Sequence, residues 1–234
     1  MAATALVATV WWSGFSPATI ADPEFARKVP NRDLRNALAW SARNLDAIWI
    51  FLGAATTYLA LVRAEGLKVA RKWSALVLLA AVVLCAASAW TGWPLGPVVF
   101  PENLGIKLGP IPFALPFLWL VLIVGARETA QRIFSKISHG FAACLAGAIC
   151  ALSSVNLDPI AWKYRAWWLW YPARLDAPTH PPLITFATWG FAGTLLAYLM
   201  RSPHVAPRMK VRPLEPILVF GALNLVVALT HCFL

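Results

Sequence analysis

The feature that most constrains this chain is a series of six apolar runs: Ala47–Val62, Trp73–Trp90, Ile111–Ala126, Phe141–Val155, Leu183–Met200 and Ile217–Leu234. A helix crossing the hydrocarbon of a bilayer takes about 20 residues. These runs are slightly shorter, so charged flanks must snorkel or helix ends must reach the headgroup layer. A further segment, Ala2 to about Ile20, has no positive leader and reads as a tilted or interfacial first helix rather than a cleaved signal peptide. Between it and the first clear run, Leu34, Leu38 and Trp40 recur at near-helical spacing in the charged stretch Asp22–Arg43, which predicts an interfacial helix. No connection is large enough to fold alone. The expectation is an all-α protein: a polytopic helical transmembrane bundle of about seven hydrophobic helices plus short interfacial helices. It forms one integral membrane domain over residues 1–234, placed in the cell membrane as a multi-pass protein.

Composition agrees. Hydrophobic residues make up 60% of the chain and charged residues 13%, against about 25% charged in soluble domains. The net charge of +10 would suggest nucleic acid in a soluble protein. Here the Lys and Arg residues fall outside the apolar cores, which fits helix flanks facing anionic lipid and excludes nucleic acid as a partner. Cys85, Cys144, Cys150 and Cys232 lack metal-binding spacing and read as packed thiols, and the four histidines show no HxxxH or HExxH pattern, so no metal is expected. Small residues cluster in Gly53-Ala54-Ala55, Ala142-Ala143-Cys144, Ala146-Gly147-Ala148 and Gly190-Phe191-Ala192-Gly193, where helix backbones can approach closely. In the seven-segment reading, loops two, four and six hold eleven of the Lys and Arg, including Arg127, and the others hold nine. The positive-inside rule leans toward the former being cytoplasmic.

Loops three and five differ from the rest, being long, rich in Pro and aromatic residues, and poor in charge. Lying two apart in a serial bundle, they share one side of the membrane. Asp158 follows the fourth run and precedes Pro159. Asp before Pro is a helix-start signal, with the carboxylate capping orphan N–H groups. A catalytic or substrate-orienting acid is the rival reading, since desolvation at the hydrocarbon edge favours the neutral acid while capping favours the carboxylate. Glu102 and Asn103 form a second polar point in the Gly/Pro-rich loop three, either a solvated turn or a proton donor facing Asp158. Asp176 and His180 can reach the same rim. Trp162, Trp167, Trp168, Trp170 and Tyr171 crowd one segment, either as an interfacial aromatic belt or as an apolar wall that grips a flat lipid and stabilises a cation. Arg43 and Asp46 are one turn apart and read as an interfacial ion pair. Thr185 and Asn224 read as interhelical hydrogen bonders, and Glu215 as a terminus residue.

Two blocks carry a resemblance. The first runs from Thr91-Gly92-x-Pro94-x-Gly96 through Leu104-Gly105-x-Lys107-Leu108 to Pro112, Pro116 and Trp119. The second is Leu157-Asp158-Pro159-x-Ala161 with Trp168 and Trp170, continuing to Pro182-Leu183-x-x-Phe186-x-x-Trp189. In order and spacing they resemble the carotenoid-biosynthesis membrane proteins that include the multi-span carotenoid 1,2-hydratases. The departures lie at polar positions: Cys85-Ala86-Ala87-Ser88 stands where the family carries an acid, Glu102 where it has Asp, and Thr185 where it has Asn. Asp158 is the family carboxylate kept unchanged.

The resemblance implies water addition to the terminal C1–C2 double bond of an acyclic carotenoid end. An acid protonates C2, and water attacks the tertiary cation at C1. Asp158 and Glu102 would share protonation and water orientation. Trp93, Asn103, Trp119, Asn156, Trp162, Trp167, Trp168, Trp170, Tyr171, Thr185, Phe186 and Trp189 would contact the substrate. The implied partners are a carotenoid or related isoprenoid, membrane lipids and other pathway enzymes, with no cofactor. A noncatalytic carotenoid-binding or assembly protein is the alternative, keeping the aromatic groove without depending on the acids. Convergence of Asp158 and Glu102 on one apolar cleft is the structural condition for the two-acid mechanism.

Overall fold

Two glycines and one asparagine set the first half of the bundle. In the computed structural model, which describes residues 2–12, 23–133, 138–170, 183–201 and 213–233, helix α3 (Arg32–Glu65) starts where the Asn31 side chain accepts from the Asp33 and Leu34 N–H groups. It stops at Gly66, whose φ of 87° lies outside the range a side chain readily allows, and α4 (Leu67–Thr91) begins at the next residue and packs against α3. Gly92, left-handed at φ 73°, closes α4 by donating its N–H to Ser88 O at 2.9 Å. The remaining helices among the described residues are α1 (Ala2–Trp12), α2 (Pro23–Lys28), α5 (Leu115–Ile133), α6 (His139–Pro159), α7 (Leu183–Leu199) and α8 (Glu215–Phe233).

Helix α5 is the axis. It packs against α3, α4, α6, α7 and α8, and its residues from Leu118 to Glu128 are all buried. A helix that is apolar all round belongs inside a protein, and the third apolar run is spent there rather than on lipid.

This corrects the seven-span expectation. The all-α class stands, with eight α-helices among the described residues, but three are long and apolar enough to cross a membrane: Asn44–Glu65, Leu67–Thr91 and His139–Tyr164. Helix α5 carries Arg127, Glu128 and Arg132 in its second half. Helix α7 has 17 residues, about 26 Å of rise against about 30 Å of hydrocarbon. Helix α8 is apolar only over Glu215–Thr230, and α1 has 11 residues. The three spans mark a membrane-associated protein, with apolar side chains such as Leu79, Leu152 and Phe191 on the outer surface.

Not every cation sits on a flank. Arg127 is buried, pairs with Glu128, donates Nη2 to Met200 O at 2.9 Å and lies 4.5 Å over the Trp73 ring. Arg165 is buried as well. Glu215 begins α8 and pairs with Arg63 at 2.8 Å.

The two aromatic loops are stitched together, as their shared side requires. Strand β1 (Val98–Val99) pairs antiparallel with β4 (Leu169–Trp170), Val98 opposite Trp170. A second short hairpin joins β2 (Lys107–Leu108) to β3 (Ile111–Pro112).

Candidate functional site

Asp158 does not start a helix. It lies in the last turn of α6, which runs through Pro159 and continues as a wider π-turn over Ile160–Tyr164. The expected capping role is therefore corrected, and indoles hold the carboxylate. Its Oδ1 accepts from Trp168 Nε1 at 2.8 Å, and Trp170 Nε1 reaches Oδ1 at 3.2 Å and Oδ2 at 3.1 Å. Both indoles come from the segment Arg165–Trp170, a strap drawn across this end of the bundle by the β1–β4 pairing.

Asp158, 2% exposed, opens on a cavity of about 20 Å³ lined by Cys85, Leu95, Val98, Phe100, Leu115, Trp119, Trp168, Trp170, Thr185 and Trp189. Five segments therefore converge: the end of α4, loop three, the start of α5, the end of α6 with its strap, and the start of α7. Trp119 and Trp189 stack on each other in its wall, with centroids 3.9 Å apart and planes at 21°. Ser88 fixes the loop over the cavity, donating to Leu84 O at 2.8 Å while its Oγ accepts the Leu95 N–H at 2.9 Å. Thr185 donates its hydroxyl to Leu95 O, and Thr188 donates to Pro94 O at 2.9 Å. The space holds about one water molecule, with Asp158 and the Trp faces around it.

Of the residues singled out from sequence, Asp158, Trp119, Trp168, Trp170, Thr185 and Trp189 meet here. Glu102 does not. It is exposed on a short 3₁₀ turn, Glu102–Leu104, and borders a separate surface depression of about 300 Å³ with Asn44, Gly105, Ile106 and Lys107. The two carboxyls do not share one apolar cleft. Asn103 is half-buried on the same turn and also stands apart from the cavity. Trp93 is 67% exposed. Asn156 donates to Asn224 O at 3.3 Å, an α6–α8 tie, while Asn224 donates back to Phe220 O of its own helix at 3.0 Å. Phe186 and Trp162 are half-buried and do not line the cavity, and Trp162 packs on the core with its indole N–H unpartnered among the described residues. Tyr171, Asp176 and His180 lie outside the described residues.

Trp167 turns the other way. Its Nε1 donates to Asp46 Oδ2 at 2.8 Å, and Arg165 Nε donates to the same oxygen at 2.8 Å. Asp46 is thus a buried partner of the strap rather than an interfacial one. Sequence reasoning missed this and the small lining residues. Val98 and Phe100 are buried around an exposed Val99, the period-2 signal of a strand that the loop's prolines obscured. Cys85 continues the buried stripe Val77, Ala81, Cys85 at helical spacing. Among the described residues no group of three His, Cys, Asp or Glu side chains is placed to hold a metal ion.

A protein-family model described as "Carotenoid biosynthesis protein" matches residues 45–233, which takes in every cavity-lining residue. No curated protein and no solved structure matches the chain.

Proposed function

The chain belongs to the carotenoid biosynthesis protein family, and from that membership we propose that it is a carotenoid hydratase working with a single acid, Asp158. The observation that carries the reading is one buried carboxyl in a small aromatic cavity with room for about one water. The substrate is an acyclic carotenoid or related isoprenoid whose terminal C1–C2 double bond enters that cavity from the apolar side.

The step balances with these groups. Asp158 in its acid form gives its proton to C2, and the electron pair of the double bond forms the new C–H bond. The cation left at C1 is tertiary and faces the Trp rings, whose negative faces stabilise it. Water bonds to C1 and loses its proton to the carboxylate, restoring the acid. Glu102 takes no part, because it faces its own depression. The Trp168 and Trp170 indoles must leave Asp158 to admit an end group, since the resting cavity holds no more than a water.

The tight cavity also suits the alternative, a protein that binds the isoprenoid end without turning it over. Co-expression with an acyclic carotenoid pathway and mass analysis of the products separates the two. The hydratase adds the mass of one water. Asp158→Asn lowers product at least about 100-fold with protein retained in the membrane, and Glu102→Gln leaves it unchanged. An unmutated protein that binds acyclic carotenoid but never adds water establishes the binding role and ends the hydratase reading. Equal product from Asp158→Asn does the same for the role of Asp158.

A further inference from the structure

Two buried carboxylates hold the strap, and they hold it differently. Asp46 Oδ2 accepts from the Arg165 guanidinium and the Trp167 indole, each at 2.8 Å, and Arg165 Nη2 also reaches Ala42 O at 3.4 Å. The main chain is pinned on the same two residues, with Arg165 N donating to Ile160 O at 2.9 Å and Trp167 N to Ala161 O at 2.7 Å. Ala166 between them sits at φ 47°, a left-handed conformation that persists in a residue with a Cβ only where its surroundings hold it. Asp158, by contrast, is met by two neutral indoles and has no ion-pair partner among the described residues.

We propose that Asp46 is a positioning residue for the Asp158 cavity: with Arg165 and Trp167 it forms a charge-compensated anchor that fixes the register in which the strap delivers Trp168 and Trp170 to Asp158. The proposal rests on reading that cavity as the isoprenoid site. Asp46 is met by a charged guanidinium as well as an indole, whereas Asp158 is met by neutral indoles alone, so the strap yields first at Trp168 and Trp170 and holds at Trp167. Substrate displaces the two indoles, and the anchor returns them to the same place. Asp46 touches no reacting atom.

The test uses the full chain in lipid nanodiscs with ¹⁵N-labelled indoles. Hydrogen exchange is read at the Trp168 and Trp170 N–H groups, assigned with Trp168→Phe and Trp170→Phe. Trp167→Phe keeps an aromatic ring and removes the donor to Asp46. It is expected to speed exchange at both indoles about tenfold, the factor for losing one hydrogen bond. The Trp49 indole, one turn along α3 from Asp46 but bonded to Thr4 of α1 at 3.1 Å, is expected to be unchanged. Asp46→Asn is expected to act in the same direction, and Trp167→Phe decides the matter if that variant fails to fold. Unchanged exchange at Trp168 and Trp170 overturns the proposal, and so does equal acceleration at Trp49, which would be general loosening. The exchange needs no turnover. Faster indole exchange in a protein that makes no hydrated product keeps the anchor and removes the hydratase, whereas normal exchange beside normal product removes the anchor alone.

Discussion

Replacing Gly147 by Ala tests the packing that brings Asp158 to the cavity. Helices α6 and α7 share the most extensive helix–helix interface among the described residues, and Gly147 lies where their backbones meet. A Cβ built there overlaps Thr194 Oγ1 and Gly190 O and lies 2.9 Å from Thr194 N. The hydroxyl can rotate away, but the other two atoms are α7 backbone, so the helices must part by on the order of 0.5–1 Å. Overpacking of this kind costs about 1–3 kcal/mol, and contact with rigid backbone puts it in the upper half of that range. Ala over Gly returns about 1 kcal/mol of helix propensity, leaving a net loss of about 1–2 kcal/mol. Gly221→Ala is the control, because among the described residues nothing lies within 4 Å of its added Cβ. Unfolding in mixed micelles titrated with dodecyl sulfate, followed by Trp fluorescence, reads both variants. Gly147→Ala unfolds at a lower detergent fraction than the unmutated protein, and Gly221→Ala at the same fraction or higher. A Gly147→Ala protein as resistant as the unmutated one refutes the close α6–α7 contact and the cavity geometry built on it.

Arg127→Ala removes the cation against which buried Glu128 is paired and is expected to cost about 3–5 kcal/mol in the same unfolding assay. The double replacement Arg127→Met with Glu128→Leu is expected to cost less, and a double variant as weak as the single one contradicts the pairing. Thr185→Val keeps the shape but removes the donor to Leu95 O, with an expected loss of about 1–2 kcal/mol. No shift in its unfolding midpoint would show that this bond does not hold loop three over the cavity.

The helices were readable as apolar runs because periodicity and small-residue clusters are local signals. Gly147 and Gly190 do meet across α6 and α7, where their clusters predicted close approach. The span count was not readable from the same runs. Apolarity alone does not distinguish a side chain facing lipid from one facing another helix, and α5 is apolar because five helices surround it. Asp158-Pro159 misled for a different reason: Pro tolerates a helical φ, so α6 passed through a pair that also reads as a start. Asp46 was paired with its sequence neighbour because nothing local points to Arg165, 119 residues away. The same holds for β1 and β4, whose pairing joins residues of two loops with only two residues each.

The two buried aspartates show why geometry assigns them different roles. A carboxylate removed from water is costly unless a cation and good hydrogen bonds compensate it. Asp46 has both, in Arg165 and Trp167, so its burial explains itself as structure. Asp158 has hydrogen bonds but no cation partner among the described residues, and the side chains lining its cavity include no cation. An apolar residue of similar volume would fill that position at less cost to the fold. An acid there, facing space for one water and a pair of stacked indoles, is placed where proton exchange with whatever enters the cavity is chemically open to it. That is the physical ground for the proposal that Asp158 reacts and that Asp46 holds its surroundings in place.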